Sequence, residues 1–288
     1  MKFNRPNVLC YLSIFLIPIV SNAQNSTGKL QLSKGQKIQI NNETQSVISQ
    51  EMMGQVIEIT IDAKMIHQVE VKDKMPHSYL VASTLTKLST NGSAMGQEMT
   101  FDSDKKEDLE SETGKLMKDQ LNVTKEVELN EKAQVINVGK NSAPSSAGGQ
   151  LMDIVNNMTG GLVDESNGAG SAFEIIPTGK KLGDSWSDST VSGDFKMYNY
   201  YNLKSINGNN ATIQLTGKQM ISKKMNQQGM EINVKMESIL SGEGIVEMTT
   251  GLLQQRKTVL DGTGTAELMG QSIPMTSKIT TTTSVKKI

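Results

Sequence analysis

The chain has 288 residues, 36% of them hydrophobic and 4% aromatic, with 29 basic and 30 acidic side chains. A near-neutral chain with no basic block lacks the electrostatic footprint of a nucleic-acid or anionic-membrane binder. One cysteine, Cys10, rules out a disulfide scaffold, so stability has to come from a core.

Lys2 and Arg5 precede an apolar run from Val8 to Val20, which ends in Ser21-Asn22-Ala23. This reads as a secretory signal peptide over residues 1–23, cleaved between Ala23 and Gln24, because the run is too short to span a bilayer and small residues occupy the cleavage positions. The expected product is soluble, exported to the periplasm or beyond, free of cysteine and without a transmembrane segment. It is read as a single β-rich domain, 24–288.

Leu30-Gln31-Leu32 and Ile38-Gln39-Ile40 predict short strands about the Lys34-Gly35 turn. Met53-Gly54-Gln55 then begins a pattern that recurs at Met95-Gly96-Gln97 and Met269-Gly270-Gln271, with a degenerate copy at Gln228-Gly229-Met230. In each, a glycine able to take positive φ precedes residues that alternate apolar and polar, which is a turn followed by a strand. The spacing of these glycines predicts a duplicated β unit, about 30–105 and 205–286. Ile57, Ile59 and Ile61 fall on one side of the first such strand, and Met65, His67, Val69 and Val71 share a face farther on.

The stretch 102–170 changes character and is read as a helical and loop insert. Leu109, Leu116, Met117 and Leu121 have helical spacing, residues 123–138 read as a hairpin about Asn130-Glu131-Lys132, and Leu151, Met152, Ile154, Val155 and Met158 describe a second apolar helical face. In the second unit, Met230, Ile232, Val234 and Met236 alternate against Glu231, Asn233, Lys235 and Glu237. Pro274 cannot donate to a ladder and so predicts that its strand lies at or near a sheet edge. The fold expected is mostly β: an antiparallel curved sheet or open barrel of about ten strands, with two or three short helices covering one face.

Catalytic signatures are missing: there is no nucleophile elbow, zinc-protease helix, Walker loop or dinucleotide glycine motif. Asp102-Ser103-Asp104 resembles the opening of a calcium loop, but Lys106 and Thr113 stand where ligands are required, and a capping turn explains it better. His67 reads as a buried core histidine. Met53, Met95 and Met269 are the sharpest soft-metal alternative, a Cu(I) rim, set against methionine as gap-filling packing. Leu182-Gly183-Asp184-Ser185-Trp186 reads as a tight turn anchoring the one tryptophan, with Asp188-Ser189-Thr190 beside it as an O-glycosylation candidate.

Lys34-Gly35-Gln36, Gln50-Glu51-Met52-Met53-Gly54-Gln55, Leu182-Gly183-Asp184-Ser185-Trp186 and Thr250-Gly251-Leu252-Leu253 resemble an uncharacterised family of exported bacterial proteins, domain of unknown function 6263. The resemblance implies export and a β-rich fold, and no catalytic residue. The expected architecture is also similar to that of periplasmic lipoprotein and lipid carriers, half-open barrels covered by helices. The leading expectation is therefore a non-enzymatic envelope protein, without cofactor, that binds an apolar ligand or lipid between sheet and helices. Met65, His67, Met152, Met158, Trp186, Met230 and Met236 are the ligand-facing candidates. A structural or interaction protein using an exposed sheet edge is the alternative from another class.

Overall fold

Period-two alternation dominates the chain, and in the computed structural model it becomes one antiparallel sheet. The structure describes residues 26–52, 54–94, 96–117, 120–139, 168–227, 230–268 and 270–288.

Among the described residues twelve strands form this sheet: β1 (Lys37–Met52), β2 (Gln55–Lys74), β3 (Ser78–Ala94), β4 (Gln97–Asp102), β5 (Thr124–Asn130), β6 (Val135–Val138), β7 (Ser185–Ser192), β8 (Phe195–Asn207), β9 (Asn210–Gln227), β10 (Met230–Glu247), β11 (Leu253–Leu268) and β12 (Gln271–Lys287). They run in the order β6-β5-β3-β2-β1-β12-β11-β10-β9-β8-β7, and β4 pairs with the half of β3 that β5 leaves free. The path does not return on itself, so the sheet is open rather than a closed barrel. Strands β1 to β4 start at Lys37, Gln55, Ser78 and Gln97, while β9 to β12 start at Asn210, Met230, Leu253 and Gln271, offsets of 173 to 175 positions.

The turn glycines collect at one end of the sheet. Gly54, Gly96 and Gly270 take φ of 74°, 78° and 79° between β1 and β2, β3 and β4, and β11 and β12. Because these hairpins are side by side in the strand order, their tips form one row, which defines the tip end.

At the opposite, loop end, one face is packed. Alternation aims Ile38 and Ile40 of β1, Val69 and Val71 of β2, Val81 of β3 and Val127 and Leu129 of β5 into one cluster. Leu203 of β8, Ile213 and Leu215 of β9, Leu240 and Val246 of β10 and Leu253 of β11 fall into a second. Both are covered by extended chain. Leu30 and Leu32 join the first cluster together with Ala169, Ala172 and Phe173, and Ile176 joins the second. These crossing segments stay because their backbones are paired: Leu30 N donates to Glu131 O at 2.7 Å, Gln31 N to Thr250 O at 3.1 Å and Glu174 N to Gly251 O at 2.9 Å. The Ser26 hydroxyl donates to Ile176 O, tying the two crossings together.

Two expectations need correction. Helix is confined, among the described residues, to one stretch broken at Ser111 into α1 (Lys106–Glu110) and α2 (Glu112–Met117), plus a 3-10 turn at Ala169–Ala172. That stretch and the loop after it supply Leu109 and Leu121 to a corner cluster with Met65, Leu85, Leu88 and Phe101, and the rest of the described cover is extended chain and that 3-10 turn. Two or three helices roofing the sheet are not what these residues form, and Met152 and Met158, expected on a covering helix, lie outside the described residues. The second correction concerns β12, which is central and lies between β1 and β11. Pro274 is tolerated there because the β1–β12 register stops at Gln50↔Met275, one position short of it.

Candidate functional site

Three bands follow one another along the packed face from the loop end to the tips. The first is the pair of apolar clusters sealed by the crossing segments.

The second band is polar. Asn42, Thr44 and Ser46 of β1 point inward beside Thr281 and Thr283 of β12 and Arg256 and Thr258 of β11. Thr283 Oγ1 donates to Asn42 Oδ1 at 2.8 Å, and the hydroxyls of Thr44 and Thr281 are 3.4 Å apart. Arg256 meets Glu174, brought in by the crossing segment, at 3.5 Å, with their side chains 21% and 13% exposed. Burial pushes the Glu174 carboxyl up to about 7; Arg256 opposes this and the Asp188 charge adds to it. Toward the sheet edge, Tyr201 of β8 donates its hydroxyl to Asp188 of β7 at 3.0 Å, and Trp186 stacks on its ring with centroids 5.3 Å apart. Burial, with the Glu174 and Asp188 charges behind it, raises the Tyr201 phenol, so it remains a donor at any ordinary pH.

The third band is apolar and half-buried. Ile59, Ile48, Met275, Met236, Ile221 and Met197 come from six strands and carry the face toward the tips. Between them β11 offers only Gly262 and Gly264. A Cβ at Gly262 would stand 2.5 Å from Ser238 Oγ and 2.6 Å from Ser277 Oγ, so this glycine lets the two serines close over β11. Ser277 Oγ in turn donates to Met236 Sδ at 3.5 Å.

The residues singled out from the sequence are dispersed across this face. Met65 is fully buried in the corner cluster, and His67 is fully buried next to it on β2. Trp186 lies on β7, seven strands away from Met65, or roughly 34 Å along the sheet at ordinary strand spacing. Met236 lies in the apolar band, and the backbone of Met230 pairs with Gln227 at the β9–β10 tip. Ala23, Gln24, Met53, Met95 and Met269 lie outside the described residues.

Asp102-Ser103-Asp104 is a docking turn: Asp104 N donates to Asp102 Oδ1 at 3.0 Å, Asp102 N to Asp108 Oδ2 at 2.8 Å and Leu88 N to Ser103 Oγ at 3.0 Å. Among the described residues no group of three or more His, Cys, Asp or Glu is placed to hold a metal, and no helix is long and apolar enough to cross a membrane. The polar band itself escaped the sequence reading. Its one signal was composition, since Arg256 and Arg5 are the only arginines in the chain.

Residues 166–253 match a family described as "Family of unknown function (DUF6263)". The Leu182–Trp186 and Thr250–Leu253 stretches fall inside this match, whereas Lys34–Gln36 and Gln50–Gln55 fall before it. No curated protein matches the sequence. Among solved structures, the chain is similar to lipovitellin, solved for its lipid–protein interactions, with a TM-score of 0.50 at 9% identity over 89% of this chain. It spans only 25% of that lipovitellin chain. An outer membrane channel from Pseudomonas putida F1 aligns over 90% of this chain and 98% of its own at 8% identity, with a TM-score of 0.26. The translocator domain of the autotransporter NalP from Neisseria meningitidis aligns over 89% and 90% at 7% identity, with a TM-score of 0.22. At such identities the likeness to lipovitellin concerns the fold alone, and the two lower scores define no common architecture.

Proposed function

We propose that this chain is an exported, non-enzymatic protein whose sheet holds an apolar ligand, a lipid or acyl chain, against the half-buried apolar band of its packed face. The observation that carries this reading is the band itself: isoleucines and methionines from six strands, half-buried rather than sealed, next to a part of the same face that is sealed. Methionine suits such a surface because its unbranched thioether repacks around irregular guests. The open-sheet likeness to lipovitellin is in keeping with it, and the ligand lies along the sheet rather than between sheet and helices.

The same reading takes β1–β4 and β9–β12 as two copies of one ancestral unit, and residues 1–23 as a signal peptide. Native mass spectrometry of protein recovered from its host tests it: bound lipid on a chain beginning at Gln24 is the expected result. A ligand-free chain that also takes up no lipid from mixed micelles would overturn it.

A second reading, an interaction protein, is favoured by β7. Among the described residues this edge strand pairs only with β8; it contains neither lysine nor proline, and it leaves Val191 63% exposed. Co-purification of a stoichiometric protein partner, lost when the β7 edge is blocked, would select it.

A further inference from the structure

The polar band is larger than the fold needs. Arg256 of β11, Thr283 of β12 and Asn42 of β1 are register partners in one row, and Thr258, Thr281 and Thr44 make the next row toward the tips. Strand spacing sets the Asn42 and Arg256 backbones about 10 Å apart.

Such a patch normally satisfies itself, and this one does not. Asn42 is 1% exposed and its Nδ2 has no hydrogen-bond partner; Ser46 is 2% exposed and its Oγ has none either. Buried donors without acceptors are costly, so they point to a missing acceptor. Arg256 carries five N–H donors, and its one ion-pair partner among the described residues, Glu174, stands at 3.5 Å, long for a charge-assisted bond.

We propose that Arg256, with Asn42 and the threonine hydroxyls between them, anchors the carboxylate head group of a single-chain amphiphile whose tail lies along the apolar band. This rests on the apolar-ligand reading above and specifies the ligand's other end. A single guanidinium beside neutral donors matches a planar monoanion, which it can hold through two parallel N–H···O bonds. From the Asn42 position to the Gln50↔Met275 pair at the tips, β1 rises about 27 Å, room for a long acyl chain. Among the described residues the crossing segment offers Arg256 only Glu174, at 3.5 Å, a competitor that loses its charge below about pH 7.

The test titrates the mature chain at pH 8 with dansyl-labelled undecanoic acid and with its methyl ester, which keeps the tail and removes the charge. The acid should bind about tenfold more tightly than the ester, the difference made by one added charge-assisted contact. Arg256→Met should erase that difference. Glu174→Gln, which removes the internal competitor and keeps the side-chain shape, should widen it, and this variant carries the test if Arg256→Met does not fold. Equal binding of acid and ester by the wild-type chain overturns the anchor while leaving the apolar-ligand reading in place. Binding of neither probe overturns both.

Discussion

Replacing Glu174 by Gln makes a folding prediction that is independent of any ligand. A carboxyl that titrates near 7 in the fold, against 4.5 for the unperturbed group, is protonated in the folded protein over a range where the unfolded chain has already lost the proton. The folded state then binds more protons than the unfolded one, so stability falls as pH rises. The contribution is fully present below about 4.5, is lost progressively up to about 7, and is flat above. Complete ionisation would cost about 3 kcal/mol at 1.36 kcal/mol per pH unit of difference; the residual exposure of the side chain lowers this to roughly 2 kcal/mol. Gln is neutral throughout, so Glu174→Gln should match wild type near pH 4.5 and exceed it by about 2 kcal/mol near pH 8. Urea unfolding of both proteins at half-unit pH steps measures the difference directly. Parallel pH profiles, with no growing gap between pH 5 and 7, would refute the claim that this carboxyl is held neutral by burial in the crossing segment.

Further outcomes follow from packing and backbone geometry. Leu30, buried between β3, β5 and the crossing segment, should lose about 2–5 kcal/mol on truncation to alanine, read from the urea midpoint. Gly270→Val should cost about 1–2 kcal/mol by the same assay, since φ is +79° and the space around it is open, leaving backbone strain as the whole effect. Val191→Lys on the free edge should change stability by less than about 0.5 kcal/mol while slowing aggregation of concentrated protein measured by light scattering.

Local pattern told much about this molecule and little about its site. Alternation in residues 57–71 and 232–236 gave the strands and their inward faces, because period two is written along a single segment. The glycine turns were legible for the same reason: a positive φ is a property of one residue. The central position of β12 was not. Pro274 constrains only its own N–H, and whether a neighbour needs that donor depends on where the β1 ladder ends, a fact held by another part of the chain. The coil cover over the core, where helices were expected, depends on backbone bonds from Leu30 to Glu131 and from Glu174 to Gly251, which no periodicity announces. The polar band is the extreme case. Asn42, Thr283 and Arg256 are ordinary residues in three strands, and Glu174 reaches Arg256 only because its segment crosses the sheet.

The pairing of β1 with β12 has a consequence for how the chain acquires its structure. Thirteen register pairs join the first long strand to the last, from Ile38↔Lys287 to Gln50↔Met275. The β1–β3 meander has one flank unpartnered until β12 is available, so the sheet's two halves cannot join at their seam before that strand is present. Closure across so large a sequence separation is slow, and the waiting flank is a template for any other extended chain nearby.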